Sequence, residues 1–395
     1  WEDCKLGELA SFSKGNGYTK NDLVEFGDPI ILYGRLYTKY ETVIEKVDTF
    51  VNKKDKSIIS EGSEVIVPAS GESSEDISRA SVVGKSGIIL GGDLNIIKPI
   101  NYIDSIFLAL TISNGSQQKE MSRRAQGKSV VHLHNSDLKQ VNILYPKLEE
   151  QQKIGSFFKQ LDNTIALHQR KLDLLKEQKK GYLQKMFPKN GAKVPELRFA
   201  GFADDWEERK LSDVANHRGG TAIEKYFDKD GVYKVISIGS YGLNSQYVDQ
   251  NIRAISNEIT DGRVVNSGEL TMVLNDKTAN GTIIGRSLLV EQDNEYVINQ
   301  RTEIISPKET FDSNFAYTIL NGSFREKVKR IVQGGTQIYV NYSAVSNLSL
   351  ELPKIEEQQK IGSFFKQLDN TIALHQRKLD LLKEQKKGFL QKMFV

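Results

Sequence analysis

Cysteine, long apolar runs and an excess of one charge sign are all scarce in this sequence. The single cysteine, Cys4, excludes an internal disulfide framework and agrees with a reducing cytoplasm. No apolar run approaches the ~18 residues that are needed to span a bilayer. Lys and Arg total 54 against 51 Asp and Glu, a net charge of +3. We therefore expect a cytoplasmic protein in which any nucleic-acid-binding surface is a local patch.

Recognisable catalytic motifs are also lacking. Gly84–Ser86 and Gly127–Ser129 resemble the end of a phosphate-binding loop, but the required glycine five residues earlier is absent from both. His132 and His134 could share one face of a strand, yet no third histidine and no cysteine cluster lies near them in the sequence, so ordinary histidines are the preferred interpretation. The Asn/Asp-Pro-Pro-aromatic motif of amino-methyl transfer is missing. We expect no catalytic residue, no metal site and no cofactor in this chain.

The strongest positive signal is a long repeated segment. Residues 149–187 and 356–394 match over 39 positions, except that Phe389 replaces Tyr182. Apolar residues recur at alternating spacings of four and three, which predicts a long helix with a coiled-coil seam. The predicted seam positions are Ile154, Phe158, Leu161, Ile165, His168, Leu172 and Leu175 in the first copy, and Ile361, Phe365, Leu368, Ile372, His375, Leu379 and Leu382 in the second.

The direction of this helix pair follows from its polar seam positions. In a parallel pair, Lys179 would face its own counterpart, Lys386, inside an apolar seam. In an antiparallel pair, Lys179 lies near Phe365, where its stem can pack and its ammonium can lie beside the ring. His168 then meets His375. Each helix would be roughly 58 Å long at ~1.5 Å per residue, so burial of one copy against the other is the simplest arrangement.

Shorter repeats extend the duplication to two whole halves. The Trp-Glu-x-x-Lys-Leu segment at Trp1 returns at Trp206, and the residues that lead into each helix also match. Between these ends the halves diverge, and short apolar runs broken by Gly, Asn, Asp and Ser predict strands and turns with little helix. One helix is expected late in each half, over residues 105–124 and 313–332, with Asp104 and Asp312 as N-caps.

We therefore expect an α+β chain with an internal pseudo-two-fold repeat. Two mostly-β domains with small helices would be separated by two long antiparallel coiled-coil helices. The predicted divisions are 1–147 for the first domain, 148–187 for the central helix, 188–205 for a linker, 206–353 for the second domain and 354–395 for the C-terminal helix. No counterpart of the linker stands ahead of Trp1, so we expect the natural N-terminus to lie further upstream.

Polar, basic and aromatic residues form clusters in the loops of both variable domains. Arg, Lys, Asn and Gln can read base edges, whereas Lys and Thr suit phosphates, so these clusters are candidate DNA contacts. The alternative for each residue is an ordinary surface position. The candidates are Lys14, Asn16, Tyr18, Lys20, Arg35, Tyr37, Lys39, Arg123, Arg124 and Lys128 in the first domain, and Arg218, Lys225, Tyr226, Asn275, Lys277, Thr278, Asn280, Asn299, Gln300, Arg301, Gln337 and Tyr339 in the second.

The layout resembles the specificity subunit of Type I restriction-modification systems. The resemblance rests on the Trp206 segment, the Pro-x-[Leu/Ile]-Glu-Glu-Gln-Gln-Lys-Ile helix starts at Pro146 and Pro353, the repeated helix bodies and the linker segment Pro195–Phe202. It covers essentially the whole chain. The family implies two target-recognition domains on an antiparallel helix pair, each domain reading one half of a bipartite asymmetric DNA site across a fixed gap.

The same resemblance assigns the chemistry to other subunits. Two methyltransferase subunits that use S-adenosylmethionine would pack against the helices, and restriction subunits that need ATP and Mg would join them. Outward basic residues such as Lys159, Arg170, Lys171 and Lys180 are available for that contact, or form a solvated helix face.

Two alternative functions are compared with DNA reading. A scaffold that binds proteins through its two domains agrees with the low net charge, and a fused nuclease or methyltransferase is disfavoured by the missing motifs. Salt-dependent binding to a DNA duplex separates the DNA-reading subunit from the scaffold. The DNA sequence and the gap length depend on loop geometry and DNA shape, which residue spacing does not encode.

Overall fold

The computed structural model describes residues 1–127, 130–189 and 191–394. The chain divides into two compact units. The first unit comprises Trp1–Lys171 and His375–Val395, and the second unit comprises Leu172–Leu374. Two long helices stand out, the first long helix at Leu148–Lys185 and the second long helix at Ile355–Met393. Each unit thus combines one sheet-rich domain with a part of each long helix.

Short strands and short helices build the domain of the first unit. Its strands are Glu2–Lys5, Ala10–Lys14, Leu23–Val24, Asp28–Ile31, Val43–Ile44, Phe50–Val51, Val65–Pro68, Ser70–Gly71, Ser81–Val83, Ile89–Leu90, Leu94–Pro99, Val131–His132 and Asn142–Tyr145. Its helices are Leu6–Leu9, Lys20–Asp22 (3-10), Arg35–Thr38, Ser74–Ile77, Ser105–Ser113, Gly115–Arg124 and Asn135–Leu138.

The main sheet of the first unit has five strands, in the order Ala10–Lys14, Leu94–Pro99, Val65–Pro68, Ser81–Val83 and Val43–Ile44. Neighbours are antiparallel except for the last pair, which is parallel. A second, four-stranded sheet is built from the strands that begin at residues 23, 28, 50 and 89. Alternating buried residues of the main sheet pack against the helix that begins at Ser105 and form the largest apolar core of this unit.

The second unit has the same kind of architecture. Its strands are Glu207–Lys210, Ala215–Gly219, Tyr233–Ile236, Arg253–Ala254, Val264–Val265, Leu270–Val273, Asn275–Asp276, Ser287–Leu289, Tyr296–Ile298, Thr302–Pro307, Ile338–Tyr339 and Ser349–Leu352. Its helices are Leu211–Val214, Glu224–Tyr226 (3-10), Ile238–Ser240 (3-10), Glu258–Asp261, Ser313–Asn321, Ser323–Arg330 and Tyr342–Ser346.

The main sheet of the second unit has four antiparallel strands, in the order Ala215–Gly219, Thr302–Pro307, Leu270–Val273 and Ser287–Leu289. A second four-stranded sheet contains one parallel pair, between Tyr233–Ile236 and the strand that begins at Tyr296. In both units, a two-stranded antiparallel ribbon joins the first strand of the domain to the last strand before a long helix. The predicted α+β class with an internal repeat is therefore confirmed.

The helix late in each domain differs from the prediction. Asp104 and Asp312 cap it as expected, since their carboxylates accept hydrogen bonds from the backbone N–H groups of Phe107 at 2.8 Å and Phe315 at 2.9 Å. The prediction of one continuous helix is wrong, because each is interrupted, at Asn114 in the first unit and at Gly322 in the second. After Asn114 the backbone turns through Gly115 at φ +68°, a conformation that only glycine adopts readily.

The long helices run antiparallel in the first unit. Phe157 packs edge-on against Phe389 with ring centroids 5.2 Å apart. Further along the first long helix, Asp162 Oδ1 lies 2.5 Å from Lys386 Nζ. The rings of His168 and His375 then lie 5.7 Å apart. Residue numbers rise along one helix as they fall along its neighbour, which confirms the predicted direction and the predicted meeting of the two histidines.

The same antiparallel order holds in the second unit. Tyr182 packs against Phe364 with ring centroids 5.1 Å apart, and Lys179 Nζ lies 2.5 Å from Asp369 Oδ1. The expectation that the Lys179 ammonium lies beside the Phe365 ring is wrong. Asp369, one turn beyond Phe365 on the second long helix, pairs with the ammonium instead. At the half-buried seam an ammonium is attracted more strongly by a carboxylate than by an aromatic ring.

The positions predicted for the seam are all buried or half-buried in the structure. Phe158 and Phe365 are the largest of them and have almost no exposed surface. They also join the helix seam to the apolar core of their own unit. Over the described ranges, no helix is both long enough and apolar enough to cross a bilayer.

Candidate nucleic-acid interface

One edge of the main sheet in the second unit gathers four loops. The strand that ends at Val273 pairs with Thr302, and just beyond this pair Leu274 N–H donates to the carbonyl of Arg301 at 2.9 Å. Gly220 N–H donates to the Thr302 carbonyl at 2.9 Å, and Val340 N–H donates to the Leu274 carbonyl at 2.9 Å. These bonds bring together the segments 220–226, 275–284, 299–301 and 333–340, which we call the second loop cluster.

The first unit builds its sheet edge with the same hydrogen bonds. Gly15 N–H donates to the Leu94 carbonyl at 2.9 Å, Ala69 N–H to the Asp93 carbonyl at 2.7 Å, and Leu133 N–H to the Ala69 carbonyl at 3.0 Å. These three bonds join the segments 15–20, 90–93, 69–71 and the described residues 126–127 and 130–133, which we call the first loop cluster. The two clusters therefore share one backbone framework, although their side chains differ.

Unusual backbone conformations recur at equivalent positions of this framework. Asp93 in the first cluster and Arg301 in the second both have left-handed backbones, with φ of +58° and +68°. Left-handed residues other than glycine are uncommon and cost free energy unless the surrounding structure holds them. The two domains, whose sequences diverge, therefore share a strained backbone conformation at the same position. The side chain there is acidic in the first domain and basic in the second.

A second pair of equivalent loops closes each cluster. In the first cluster Gln126 and His132 exchange backbone hydrogen bonds of 3.0 and 2.8 Å, and in the second Gln333 and Tyr339 do so at 2.8 and 2.9 Å. A glycine with positive φ follows each glutamine, at +136° for Gly127 and +100° for Gly334. These equivalent loops place His132 and Tyr339 at matching exposed positions.

The loop from 277 to 284 is held on one side by Asp276. This carboxylate is almost fully buried. It accepts hydrogen bonds from the Thr278 N–H and hydroxyl, both at 3.0 Å, and from the N–H groups of Ile283 at 2.8 Å and Ile284 at 3.4 Å. Burial alone raises the pKa of Asp276, but the hydrogen bonds from Ile283, Thr278 and Ile284 outweigh it and leave the pKa below its usual value.

Arg325 holds the same loop from the helix behind it. Its buried guanidinium donates to the carbonyls of Ile284 at 2.9 Å, Gly281 at 2.9 Å and Thr282 at 2.8 Å. Burial lowers the pKa of Arg325, as expected for a charge taken out of water. With both ends of the loop fixed, the exposed side chains of Lys277, Thr278 and Asn280 sit on a rigid support.

The loop around residue 300 uses some of its polar groups internally. The buried Asn299 accepts hydrogen bonds from the N–H groups of Ile223 at 3.2 Å and Gln300 at 2.8 Å, and donates to Glu224 at 3.0 Å. The side-chain amide of Gln300 also donates to Glu224, at 2.9 Å. Hydrogen bonds from Asn299 and Gln300 lower the pKa of Glu224. Asn299 therefore positions this loop, while Gln300 and Arg301 are exposed.

Other predicted residues of the second unit lie around the cluster. Arg218 pairs with Glu269 at 2.8 Å and donates to the Val264 carbonyl at 3.2 Å, so its charge is engaged within the unit. The Lys225 ammonium lies 4.7 Å from the centre of the Tyr226 ring. Asn275 and Tyr339 are directly paired strand residues, and Gln337 is exposed on the loop beside them.

The first unit also divides its predicted residues between the loop cluster and internal contacts. Asn16 and Lys20 are exposed in the cluster, and the Asn16 amide donates to the Lys56 carbonyl at 3.1 Å. Tyr18 is buried, and its hydroxyl accepts from the Lys54 N–H at 2.7 Å. Lys14 is exposed at the end of the strand that leads into the cluster.

The short helix at 35–38 forms a separate ion cluster. Arg35, whose side chain is nearly buried, pairs with Glu41 at 2.6 Å and Asp48 at 2.8 Å, and Lys39 pairs with Asp48 at 2.6 Å. Burial raises the pKa of Tyr37, helped by the charges of Tyr33, Glu72 and Asp76. Arg35 and Lys39, two of the three residues predicted here, are thus held by carboxylates. The segment therefore stabilises the domain, and little of its positive charge is left free for DNA.

The remaining basic cluster of the first unit is split. Arg124 pairs with Glu120 at 2.7 Å and donates to the Gln140 carbonyl at 3.2 Å, whereas Arg123 is exposed. Lys128 lies outside the described residues. In the described part of the chain, no group of three or more His, Cys, Asp or Glu residues could hold a metal ion.

Sequence reasoning missed two residues of the shared framework. Asp93 was not considered, and His132 was weighed only as a metal ligand. A signal for His132 exists in the sequence, because Gln126–Leu133 and Gln333–Val340 carry the same Gln-Gly start at the same offset as the long helices. Aligning the divergent middles on that offset would have paired His132 with the predicted Tyr339.

The model of the Type I restriction modification DNA specificity domain family matches residues 1–177 and 203–384. These matches cover most of the chain and fall once on each half. The chain belongs to the Type I restriction-modification specificity subunits. It is therefore a subunit with two target-recognition domains, and the prediction that it recognises DNA rather than modifying it is confirmed.

Curated relatives of this specificity subunit agree with the family. The MjaVIII specificity subunit of Methanocaldococcus jannaschii is 23% identical over 404 residues, covering 99% of this chain and 91% of that protein. The putative MjaX specificity subunit of the same organism is 23% identical over 350 residues, covering 80% and 74%. Each is a Type I restriction enzyme specificity subunit by name.

Solved structures support the fold of this specificity subunit. A Type I restriction-modification S subunit from M. genitalium matches with a TM-score of 0.67 at 14% identity, covering 100% of this chain and 96% of that one. A chain from a study of complex assembly and conformational transition in a Type I system matches with a TM-score of 0.52 at 15% identity, covering 100% and 97%.

Proposed function

We propose that each unit of this specificity subunit reads one half of a bipartite, asymmetric double-stranded DNA site with its loop cluster. The observation that supports this is the shared framework with exchanged side chains. The same backbone hydrogen bonds recur in both units, but Asp93 stands where Arg301 stands, and His132 where Tyr339 stands. One framework with two sets of side chains suits two different half-sites.

The second loop cluster carries side chains for both kinds of DNA contact. Arg301 has the pair of donors that reads a guanine edge, whereas Asn275 and Gln337 have the donor and the acceptor that read an adenine edge, and we propose all three as base contacts. Lys277 and Thr278, on the loop fixed by Asp276 and Arg325, suit phosphates. The remaining proposed contacts around these are Lys225, Tyr226, Asn280, Gln300 and Tyr339.

The first loop cluster offers a different set. We propose Asn16 and His132 as base contacts and Lys14, Lys20 and Arg123 as phosphate contacts. The proposed domains for this division are 1–147 and 206–353. By contrast, we propose that the engaged residues Tyr18, Arg35, Arg124, Arg218 and Asn299 position the reading loops instead of contacting bases.

The long helices complete the proposed function. We propose that they dock two methyltransferase subunits, which bring S-adenosylmethionine, and that restriction subunits with ATP and Mg join this assembly in the cytoplasm. The length of the helices would set the unread gap between the half-sites. Arg170, Lys171 and Lys180 are exposed for such docking. Lys159 is less available, since it pairs with Glu45 at 2.9 Å.

Exchange of one domain tests this function. Methylated bases would be mapped in cells that carry the chain and its cognate methyltransferase subunit, before and after residues 206–353 are replaced by the domain of another family member. We expect one half of the methylated motif to change and the other half and the gap to stay. The matched control replaces residues 1–147 and should change only the opposite half. Loss of all methylation from a demonstrably assembled complex would contradict two independent readers.

A further inference from the structure

The two loop clusters each place one left-handed residue at the same point of the main sheet. Asp93 and Arg301 directly precede the second strand in the order of their sheets. Each carbonyl accepts a hydrogen bond from the residue that follows the neighbouring strand, from the Ala69 N–H at 2.7 Å in the first unit and from the Leu274 N–H at 2.9 Å in the second. The two side chains therefore leave equivalent points of the two sheet edges.

A close approach of two backbones supports both of these points. Gly15 and Gly220 each follow the edge strand that pairs with the strand after the left-handed residue. A Cβ on either glycine would overlap a carbonyl oxygen, that of Gly91 in the first unit and that of Asn299 in the second. Each of these carbonyls lies two residues ahead of the left-handed residue. The backbone beneath the two side chains is thus held in the same way in both units, and glycine is required for it.

Neither side chain has a contact inside the protein that would explain the strain. Asp93 and Arg301 are exposed. Within the described ranges, no residue donates a hydrogen bond to the Asp93 carboxylate or accepts one from the Arg301 guanidinium, and neither group forms an ion pair. A left-handed backbone is costly for a residue with a Cβ, and arginine lacks the short polar side chain that eases it for Asp and Asn. Strain of this kind at an exposed side chain is typical of a ligand contact.

The carboxylate and the guanidinium match opposite members of one base pair. In the major groove guanine presents two acceptors, N7 and O6, which the paired donors of a guanidinium fit. Cytosine presents only the N4 amino donor, which fits a carboxylate, since an ionised carboxylate only accepts. A carboxylate that faced guanine or thymine would set acceptor against acceptor. The residue types at the two equivalent points therefore select a G·C pair from its two different sides.

We propose that Asp93 and Arg301 are matched specificity-determining residues. Arg301 selects guanine at one position of the half-site read by the second unit, and Asp93 selects cytosine at one position of the half-site read by the first. This assignment rests on the proposed function of the loop clusters and adds to it the base at one position of each half-site. Because a carboxylate repels phosphates, Asp93 contributes selection between bases and no affinity for the DNA backbone.

Reciprocal variants of the full chain test this assignment. Methylated bases would be mapped in cells that carry each variant with the cognate methyltransferase subunit. Asp93→Asn has the donor and the acceptor that fit adenine, so one position of the first half-site should change from cytosine to adenine, with a preference of about tenfold. Asp93→Arg should change the same position to guanine, and Arg301→Asp should change guanine to cytosine in the second half-site. Asp3→Asn, at an exposed position outside both clusters, is the matched control and should leave the motif unchanged.

Urea unfolding separates base selection from a structural role. Glycine adopts a positive φ without strain, so Arg301→Gly should leave the urea midpoint unchanged or raise it, while the second half-site loses its selection of guanine. Asn294→Gly is the control, because Asn294 is exposed, has a φ of +60° and lies outside both clusters, and this variant should keep the methylated motif of the parent. A lower midpoint in Arg301→Gly would show a structural role and overturn the assignment of Arg301.

The assignment and the proposed function fail in different ways. A motif that keeps both half-sites and changes at no position in Asp93→Asn and Asp93→Arg would overturn the role of Asp93, while two independent readers would remain. A change in the half-site read by the second unit would overturn it as well. No methylated motif from a demonstrably assembled parent complex would overturn the proposed function and this assignment together.

Discussion

Arg325 and Asp276 show how buried charges can support an exposed loop. Each carries charge into the interior, and each is satisfied by backbone groups of the loop from residue 277 to residue 284. Buried charged groups are costly unless they are hydrogen-bonded, so this arrangement ties the stability of the unit to the shape of one loop. Substitutions here should therefore alter loop shape and base selection together.

Replacing Arg325 with Leu should destabilise the second unit. Two buried carbonyl oxygens and a half-buried one lose their donor, which costs about 1–3 kcal/mol of unfolding free energy. Urea unfolding measures this, and Arg330→Leu, an exposed position on the same helix, is the control that should change it by under ~0.5 kcal/mol. Mapped methylation should lose base selectivity in the half-site read by the second unit. Equal loss in both half-sites would mean that Arg325 acts only through general stability.

The charged carboxylate of Asp276 should raise the unfolding free energy, and this contribution should be lost at acidic pH. Its pKa is lowered in the folded chain, so the contribution is present above the unfolded pKa, near 3.8, and is lost as pH falls through the folded value. Asp276→Asn should be less stable than the parent at pH 7, with a difference that narrows as pH falls below 3.8. Urea unfolding at pH 7, 4 and 3 measures this. A difference that stays constant over this range would contradict a charged Asp276 in the fold.

At the scale of elements, the helix pair carries two equivalent Lys–Asp ion pairs between the helices, which we call polar clasps. Lys386 pairs with Asp162 in the first unit, and Lys179 pairs with Asp369 in the second. The lysines and the aspartates occupy the same two positions of the repeat. A seam that is apolar apart from His168 and His375 is thus marked by an ion pair in each unit, and such polar contacts can fix the register of helices.

Reversing one clasp should reveal its role. Asp369→Lys puts two ammonium groups together and should lower the unfolding free energy by about 1–2 kcal/mol, given that the pair is more than two-thirds buried. Adding Lys179→Asp should recover much of the loss. A double-mutant cycle by urea unfolding measures the coupling, with Glu177→Lys on an exposed position as the control. No recovery in the double variant would show that the pair is not a specific contact.

The elements differ in how far sequence could predict them. The spacing of apolar residues alone predicts the long helices, and the two polar seam positions predict their direction. The helix caps at Asp104 and Asp312 follow from local chemistry. The break at Asn114 does not follow from local chemistry, and the need for glycine at the next residue, Gly115, depends on a residue distant in sequence. There, a Cβ would overlap the carbonyl of Phe394, and only the folded first unit shows it.

The candidate sites were harder to predict for a related reason. Arg35 and Arg218 have the right chemistry for DNA, but in the fold their charges are taken by Glu41 and Glu269. Whether a loop arginine is free depends on carboxylates from other strands, and sequence order does not place those. Asp93 escaped notice because an acidic residue is a poor DNA candidate by type, and only its backbone position makes it equivalent to Arg301.

At the scale of the whole molecule, the charge is nearly balanced. The two long helical repeats hold an excess of basic residues, so the rest of the chain has 38 basic against 41 acidic residues. Affinity for DNA must then come from a few local phosphate contacts, such as the proposed Lys14, Lys20 and Lys277, and not from the overall field.

This balance predicts a moderate salt dependence of duplex binding. Log affinity should fall linearly with log salt concentration, and Lys277→Ala should reduce the slope by about 0.9, one phosphate contact. Anisotropy of a labelled duplex that contains the methylated motif measures both slopes. Lys229→Ala, at an exposed position outside the second loop cluster, is the control and should leave the slope unchanged. Binding that does not respond to salt would argue for the protein scaffold.

The antiparallel clasps have a genetic consequence. Because each copy of the repeat holds both the lysine and the aspartate, copying one stretch of the gene over the other leaves both ion pairs complete. A crossover within the repeated stretches likewise yields helices that still match, whichever domain each one follows. Recombination at the repeat can therefore exchange whole recognition domains without changing the contacts between the long helices. A single substitution in one copy, by contrast, faces the unchanged residue of the other copy.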